Sequence, residues 1–505
     1  MSEGQLSVPR SRVLKLRFFR DFVQIGIALK AGSPHDEFIG FSPFMMKTPP
    51  MIIVSEAAPR LKAFLAHCDL KPLARTMMMR IVLAFVMHRG RMSCSAAAGM
   101  IASEPVHRGE LTRFLARPRW QKYDFNEPLM RMLLAKEKKR GKFLFLIDAT
   151  LVSQAGKKTQ NTFSTGNRTR RKIKKGFRYN NKKVVRKNVH SFTFGLLITP
   201  SGIRIPMQIP HRTKEYCAQY GLDHLTTAEA AAQMIRTLPL DDDADVVVLG
   251  DTAYESSVVE TACEEKGYTW VFPANPERVY EGASGQRPKL RSRLKDWTSL
   301  SLKTIRLRAS TGKYADYRRL SKWRVGPKMK PRVFYAYQEK REVRSVGDVQ
   351  IVFSTMKSDL EKATPDDVKI LLTNAVDLSV AEVLDLYSLR WQIELFFKEL
   401  KSTLGFSQYS FIDFSAVEAW VNLAITTVLY LEHERITHML DRRLSKDRRQ
   451  WWQRQRLHGL CHAFRQEAER KELEYIEKRT KTSGGLKKLQ RLLAASIPQE
   501  YRVAA

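Results

Sequence analysis

Short apolar runs separated by turn residues dominate the middle of the chain. Lys142–Asp148 (KFLFLID) and Asp245–Asp251 (DVVVLGD) are apolar runs that each end in an aspartate, which predicts buried strands with an acid at the strand end. Ser191–Thr199 and Arg204–Ile209 lie on either side of Pro-Ser-Gly, and this pattern predicts a β-hairpin. The two aspartates are therefore expected at the edge where α/β sheets place functional groups.

Helical segments follow the predicted hairpin. Thr226–Leu238 and Val258–Lys266 read as helices, and Thr269–Phe272 reads as another strand. The predicted order is three strands, a helix, a strand, a helix and a strand. A mixed α/β order of this kind is what a ribonuclease-H-like catalytic core requires. We assign residues 136–273 and 366–405 to this core.

The flanking regions have a different character. Residues 1–135 are predicted to be mainly helical, with an apolar-rich helix at Leu73–His88. Arg91–Arg117 suggests either a helix-turn-helix, which places its second helix in a major groove, or a plain helical hairpin. Short β-type runs within residues 274–365 predict a β-rich insertion. Residues 406–505 predict a basic, helical C-terminal region.

One long helix is predicted over Val380–Leu404, with Ser379 as its N-cap and Gly405 just beyond its end. At about 100° per residue, four of its polar side chains fall within a stripe about 60° wide: Tyr387, Arg390, Glu394 and Lys401. The adjoining face is apolar and is expected to pack into the core: Leu389, Ile393, Phe396, Phe397 and Leu400. Ordinary Arg390–Glu394 pairing on a helix surface is the alternative explanation.

The charge balance points to a polyanionic partner. The 505-residue chain has 87 Lys and Arg against 52 Asp and Glu, a net charge of +35. Such an excess fits nucleic acid, whose phosphates favour basic proteins through counterion release. Ribosomal and membrane-surface proteins share such a charge, but the chain is long for the first class and shows no basic amphipathic anchor for the second.

The basic residues are concentrated in one stretch. Residues 149–214 contain no Asp or Glu, and residues 157–187 contain thirteen Lys or Arg. We expect this stretch to follow a phosphate backbone, with a solvated loop as the alternative. Its candidate DNA-binding residues are Arg170, Arg171, Lys174 and Lys175.

The five cysteines are scattered and form no Cys-x-x-Cys pair, which argues against a zinc ribbon and fits a reducing compartment. The N-terminus lacks the apolar region of a signal peptide, and the longest apolar run, near Trp420–Leu431, is shorter than a bilayer span. A cytoplasmic protein without a membrane partner is the simplest expectation.

Three carboxylates are candidates for metal-dependent chemistry. Asp148 and Asp251 come from predicted strands and Glu394 from the long helix. Taken singly, each aspartate is more simply explained as a turn or cap residue. Together the three offer the oxygen ligands that Mg²⁺ prefers. Two such ions would activate an attacking oxygen and stabilise a leaving one in an in-line displacement.

The spacing Tyr387-x2-Arg390-x3-Glu394-x6-Lys401 resembles the signature of the insertion-sequence-4 superfamily of DDE transposases. Asp148 in FLIDAT and Asp251 in VVVLGDTAY resemble the first and second catalytic aspartates of that family. The resemblance covers about residues 140–405. It departs after Asp251, where Thr-Ala-Tyr replaces the Arg-Glu pair of some members.

The resemblance implies a ribonuclease-H-like core interrupted by a β-strand insertion. It also implies an N-terminal domain that binds transposon ends, and a base-stacking tryptophan inside the insertion. Trp323 and Trp297 are the candidates for that tryptophan, with a packed core residue as the alternative explanation for each.

The function expected from these observations is cut-and-paste transposition. Asp148, Asp251 and Glu394 would hold two Mg²⁺ ions, with Mn²⁺ as a substitute. Tyr387, Arg390 and Lys401 would hold DNA phosphates. The partners would be double-stranded transposon ends and target DNA, bound by a homodimer in the synaptic complex. Two alternatives stay open: a nuclease or resolvase of the same fold that cuts without joining, and a non-catalytic DNA-binding descendant of a transposase.

Overall fold

The computed structural model describes residues 58–485. Within this range it leaves out residues 69, 89–91, 102–105, 118–125, 155, 157, 174–175, 283–284, 295–300, 309–312, 319–329, 345, 361 and 483. For residues 165–187 it describes the backbone but not the side-chain environment.

The helices before the sheet are α1 (Pro59–Leu65), α2 (Pro72–Met87), α3 (Cys94–Ala98), α4 (Arg108–Ala116) and α5 (Glu127–Leu134). The strands are β1 (Phe143–Ser153), β2 (Phe163–Ile173), β3 (Gly176–Ile198), β4 (Arg204–Pro210), β5 (Val246–Leu249), β6 (Thr269–Pro273), β7 (Lys303–Leu307), β8 (Arg332–Val343), β9 (Gly347–Thr355) and β10 (Lys369–Thr373). The remaining helices are α6 (Lys214–Tyr220), α7 (Thr227–Arg236), α8 (Ser257–Glu265), α9 (Leu290–Arg293), α10 (Val380–Ser388), α11 (Trp391–Glu399), α12 (Phe414–Leu440), α13 (Lys446–Arg454) and α14 (Leu457–Thr480).

A mixed sheet organises the molecule, and the described part of the chain contributes ten strands to it. The strand order is β2-β3-β1-β5-β6-β10-β9-β8-β7, and β4 also pairs with β3. β1, β5 and β6 are parallel to one another, whereas β10 is antiparallel to β6. The predicted mixed α/β class and the β3–β4 hairpin are confirmed. This architecture is consistent with a ribonuclease-H-like transposase domain.

The strands predicted within residues 274–365 are present, but they do not form a separate sheet. β9 pairs with β10, so β7, β8 and β9 extend the central sheet on the side away from β1. β10 itself lies beyond the insertion as we had bounded it, and it was not predicted as a strand. It is the element that joins the insertion strands to the central parallel strands.

The prediction that Asp148 ends its strand was wrong. β1 continues to Ser153, and its pairing with β3 runs unbroken from Leu144 opposite Ile198 to Ser153 opposite Val189. The residues after Asp148 include Thr150, Leu151 and Val152, which favour a strand. Asp251, in contrast, follows β5 directly, as predicted.

The basic stretch forms a long antiparallel hairpin rather than a loop. β2 and β3 pair from Phe163 opposite Val189 to Ile173 opposite Gly176. Asn188 has a positive φ of 53°, and the pairing is irregular near Thr165. The two features place a bulge where the hairpin leaves the central sheet.

The predicted long helix is interrupted. Its N-cap is confirmed, since Ser379 and Glu382 form a capping box, and Gly405 is left-handed with a φ of 66°. Between α10 and α11, however, the amide of Arg390 bonds to the carbonyl of Tyr387, three residues back. After α11 the chain forms a π-helix over Leu400–Leu404. The turn therefore tightens before α11 and widens after it.

α12 is the central helix on one side of the sheet. It packs against α2, α4, α5, α13 and α14 and against β4. Among the described helices, it alone is long and apolar enough to cross a membrane. Its apolar 18-residue segment has a mean hydropathy of 1.4, yet 83% of that segment is buried inside the protein. The predicted apolar run near Trp420–Leu431 is thus part of a longer helix, and its burial is typical of a core helix.

The helices predicted in the flanking regions are present where the structure describes them. α2 matches the predicted Leu73–His88 helix, and α3 and α4 lie within Arg91–Arg117. α3 is only five residues long, and residues 102–105 between the two helices lie outside the described chain. A role of α4 in reading DNA stays a prediction. The five cysteines are all described and buried, and none of them forms a disulfide.

Candidate active site

Two neighbouring parallel strands place the two aspartates. β1 and β5 are in register from Phe143 opposite Val246 to Leu146 opposite Leu249, so Asp148 and Asp251 both lie two residues beyond the last pair. The Asp148 carboxylate accepts a 2.8 Å hydrogen bond from the amide of Ala149. The Asp251 carboxylate caps a short 3₁₀ turn by accepting a 2.9 Å hydrogen bond from the amide of Ala253.

The third carboxylate comes from α11, which packs on β1. The apolar face predicted for this helix is confirmed, because its five residues are at most 8% exposed. The face beside it carries Glu394, whose side chain is 29% exposed. The buried face thus holds α11 on the sheet while Glu394 stays accessible.

Arg390 links the helix to the strand. Its Nη1 lies 3.3 Å from Oδ2 of Asp148, and its Nη2 donates a hydrogen bond to Oε1 of Glu394. The Arg390 and Asp148 side chains are 15% and 17% exposed. We had expected Arg390 to hold phosphates, but in this structure its guanidinium contacts two of the three carboxylates. One positive charge offsets only part of their combined negative charge, so the site keeps an excess of acid.

The three acids influence one another electrostatically. Burial, together with the neighbouring Asp251 and Glu394, raises the pKa of Asp148 to about 6, although the Ala149 amide and Arg390 lower it. Like charges this close disfavour joint ionisation unless a cation is bound nearby.

The acids fit a divalent cation by their chemistry. Three carboxylates form an oxygen-only donor set, which suits Mg²⁺ or Mn²⁺. In the part of the chain that the structure describes, no three His, Cys, Asp or Glu side chains are arranged to hold a metal as they stand. For Asp148 and Glu394, the contacts with Arg390 explain why the two carboxylates are not arranged around a metal, since the guanidinium already supplies positive charge between them.

Tyr387 and Lys401 lie near the acids in different ways. Burial raises the pKa of Tyr387 to about 12, although a hydrogen bond to Arg390 lowers it, so the hydroxyl stays protonated at neutral pH. The ammonium of Lys401 lies 3.2 Å from the carbonyl oxygen of Leu151. Lys401 thus contacts β1 three residues beyond Asp148.

One residue near the signature was not singled out from the sequence. The ammonium of Lys369, the first residue of β10, lies 4.5 Å from the centre of the Tyr387 ring. Nothing in the local pattern around Lys369 pointed to the site.

The other predicted DNA-binding residues are not described at the side-chain level. Arg170 and Arg171 lie on β2, where the backbone alone is described. Lys174, Lys175, Trp297 and Trp323 lie outside the described residues.

Comparison with known proteins supports a transposase domain. Residues 220–430 match the family model of the transposase DDE domain. The match includes Asp251, Glu394 and the whole Tyr387–Lys401 signature, and it begins after Asp148. No curated protein matches the chain.

Proposed function

We propose that the chain is a cut-and-paste DNA transposase of the insertion-sequence-4 type. The observation that carries the proposal is that Asp148 and Asp251 lie level beyond two neighbouring parallel strands, while Arg390 contacts both Asp148 and Glu394, which is 246 residues further along the chain. A transposase DDE domain match over residues 220–430 supports the same reaction class.

Asp148, Asp251 and Glu394 would hold two Mg²⁺ ions, or Mn²⁺ as a substitute. When bound, the ions supply activation of the attacking oxygen and charge stabilisation of the leaving oxygen. When Arg390 gives up its contacts with Asp148 and Glu394, its guanidinium is free to bind a DNA phosphate through two parallel hydrogen bonds. Tyr387, which interacts with Arg390, and Lys401, which contacts β1 beyond Asp148, would position the phosphates beside the scissile bond.

The reaction needs no covalent protein–DNA intermediate. Water attacks the phosphodiester at the transposon end, the P–O3′ bond breaks, and the 3′ oxygen leaves as a hydroxyl after taking up a proton. That 3′-OH then attacks a phosphodiester of the opposite strand or of the target and displaces another 3′ oxygen. Tyr387, whose raised pKa keeps it protonated, serves as a hydrogen-bond donor and not as a nucleophile.

The rest of the chain would serve DNA binding. A net charge of +35 and the basic β2–β3 hairpin suit double-stranded transposon ends and target DNA. Residues 1–135 would bind the ends, residues 274–365 would insert into the core of 136–273 and 366–405, and residues 406–505 would support it. We expect a homodimer in the synaptic complex and a cytoplasmic, nucleoid-associated location.

Strand joining separates this proposal from a nuclease of the same fold. The full-length protein is incubated with DNA fragments that carry the two ends flanking its coding sequence, with Mg²⁺ and a plasmid target, and the junctions are sequenced. Joined ends with a fixed target duplication support transposition. Cleavage without junctions would favour the nuclease, and binding without cleavage would favour a non-catalytic descendant.

A further inference from the structure

Lys369 lies at the same sheet edge as the catalytic acids, although it is far from them in sequence. Leu249 of β5 is level with Val271 of β6, and Pro273 of β6 is level with Leu371 of β10. Asp251 is therefore level with Leu371. β10 runs antiparallel to β6, so it begins at the edge of the sheet where β5 and β6 end. Lys369, two residues before Leu371, therefore lies two residues beyond the level of Asp251 at that same edge.

The side chain of Lys369 is directed towards Tyr387 of α10. Its ammonium lies 4.5 Å from the centre of the Tyr387 ring, a geometry that allows a cation–π attraction. The surrounding protein lowers the pKa of Lys369 by desolvation, Arg390 lowers it too, and Asp251 and Glu394 raise it. Lys369 is thus within electrostatic reach of two of the acids.

Lys369 differs from the other cations at the site in how far its charged group is already held by contacts within the protein. Arg390 contacts Asp148 and Glu394, and Lys401 donates to a β1 carbonyl. Lys369 is exposed, and among the described residues no carboxylate oxygen lies within 4.0 Å of its ammonium. A strongly hydrated, flexible point charge of this kind suits a phosphate.

We propose that Lys369 binds a DNA backbone phosphate next to the scissile bond, with the Tyr387 ring holding the ammonium in place. This inference rests on the proposed transposase function and adds a contact from β10, outside the Tyr387–Lys401 signature. It makes the strand that joins the insertion to the core part of the DNA-binding surface.

The test replaces single DNA phosphates, one position at a time, with neutral analogues. Single methylphosphonates are placed in turn at each position around the cleavage site of an end duplex. Binding of the full-length wild type, Lys369→Gln, Lys369→Arg and Lys266→Gln is measured against salt concentration. Lys266 is the matched control because it pairs with Asp242 at 3.2 Å and precedes β6 at the opposite edge of the sheet.

The wild type, Lys369→Arg and Lys266→Gln should lose affinity when one particular phosphate is neutralised. Lys369→Gln should bind unmodified DNA more weakly, with a salt slope smaller by about 0.9, and should lose nothing further at that position. If Lys369→Gln retains the wild-type sensitivity at every phosphate, the inference is overturned.

Two other outcomes would also overturn the inference, for different reasons. A lower melting temperature with equal weakening at all positions would mean that Lys369 only packs on Tyr387. If the wild type binds no end duplex, the proposed function itself fails. The comparison of variants thus separates failure of the contact from failure of the function.

Discussion

Asp148 is the residue whose surroundings most clearly distinguish the site from an ordinary strand. It lies inside β1, mostly buried, between a guanidinium and two other acids. A structural strand residue at this position would be apolar, because burial of a carboxylate is unfavourable unless it is paired or used. The proposed role in metal binding therefore explains why an aspartate stands at position 148, whereas stability alone does not.

Replacement of Asp148, Asp251 or Glu394 by Ala should abolish cleavage and leave binding to end DNA nearly unchanged. Each change removes a ligand of the proposed metals, while it also removes negative charge near DNA, so affinity should stay equal or rise. Cleavage assays in Mg²⁺ and gel-shift titrations measure the two properties. Robust cleavage by any one variant would exclude that residue from the site.

Arg390 should be needed for rate rather than for metal binding. Arg390→Ala removes a proposed phosphate contact, and positioning errors of about 1 Å can slow a reaction on the order of a hundredfold. Arg390→Lys should restore little, because an ammonium cannot make the paired contact. Gln392→Ala, on the same helix, is the control. Single-turnover cleavage rates and Mn²⁺ binding are the readouts, and equal slowing by Gln392→Ala would point to helix stability instead.

At the scale of elements, α11 is fixed to the body of the protein by buried charges behind Glu394. Glu399 Oε2 lies 3.1 Å from Nη1 of Arg204 on β4, and Arg204 also reaches Glu432 of α12 at 3.4 Å. Arg435 completes the group with a 2.9 Å contact to Glu432. The helical wheel alone would make Glu399 a neutral position on the side away from the acids. In the fold it is a buried anchor.

Glu399→Ala should therefore destabilise the protein, in contrast to Gln392→Ala. Removal of one partner of a buried ion pair costs about 3–5 kcal/mol, and the remaining Arg204–Glu432 contact should reduce this to about 2 kcal/mol. Urea denaturation measures the loss. Arg204→Met combined with Glu399→Leu should recover part of it, since the buried Arg204 charge is then removed as well and Glu432 keeps its contact with Arg435. Unchanged stability of Glu399→Ala would show that the anchor contributes nothing.

At the scale of the whole molecule, positive charge and the long β2–β3 hairpin are the features that we propose to bind DNA. The hairpin is continuous with the sheet that carries Asp148, since β3 pairs with β1. Through this pairing, DNA held on the hairpin would be linked to the strand of Asp148. The C-terminal helix α14 is also rich in basic residues, but many of them pair with acids four residues away, such as Arg470 with Glu474.

Neutralisation of Arg170, Arg171, Lys174 and Lys175 to Gln should weaken binding to all DNA sequences alike. The slope of log affinity against log salt should fall by up to about 0.9 for each lost phosphate contact. The control carries the same number of changes on α14 and at the residue that follows it: Arg470, Lys471, Lys478 and Lys481. Salt-dependent binding to specific and random duplexes gives both slopes, and equal slopes for the wild type and the hairpin variant would make the hairpin a solvated structure.

The sequence by itself determined the features that depend on local spacing. The apolar runs of β1 and β5, the N-cap Ser379 and the position of Gly405 just beyond the helix end follow from short-range propensity and sterics, and each was predicted. The prediction that Asp148, Asp251 and Glu394 act together came from two strand-end patterns and the helix signature.

Tertiary structure alone decided which distant residues meet. Arg390 pairs with Asp148 across 242 residues, the insertion strands join the central sheet through β10, and Lys369 lies over Tyr387. Strand order and register set these contacts, and neither leaves a signal in the local pattern, because the same apolar alternation fits many pairings. The extension of β1 past Asp148 has both causes, since Thr150, Leu151 and Val152 favour a strand and pairing with β3 continues to Ser153.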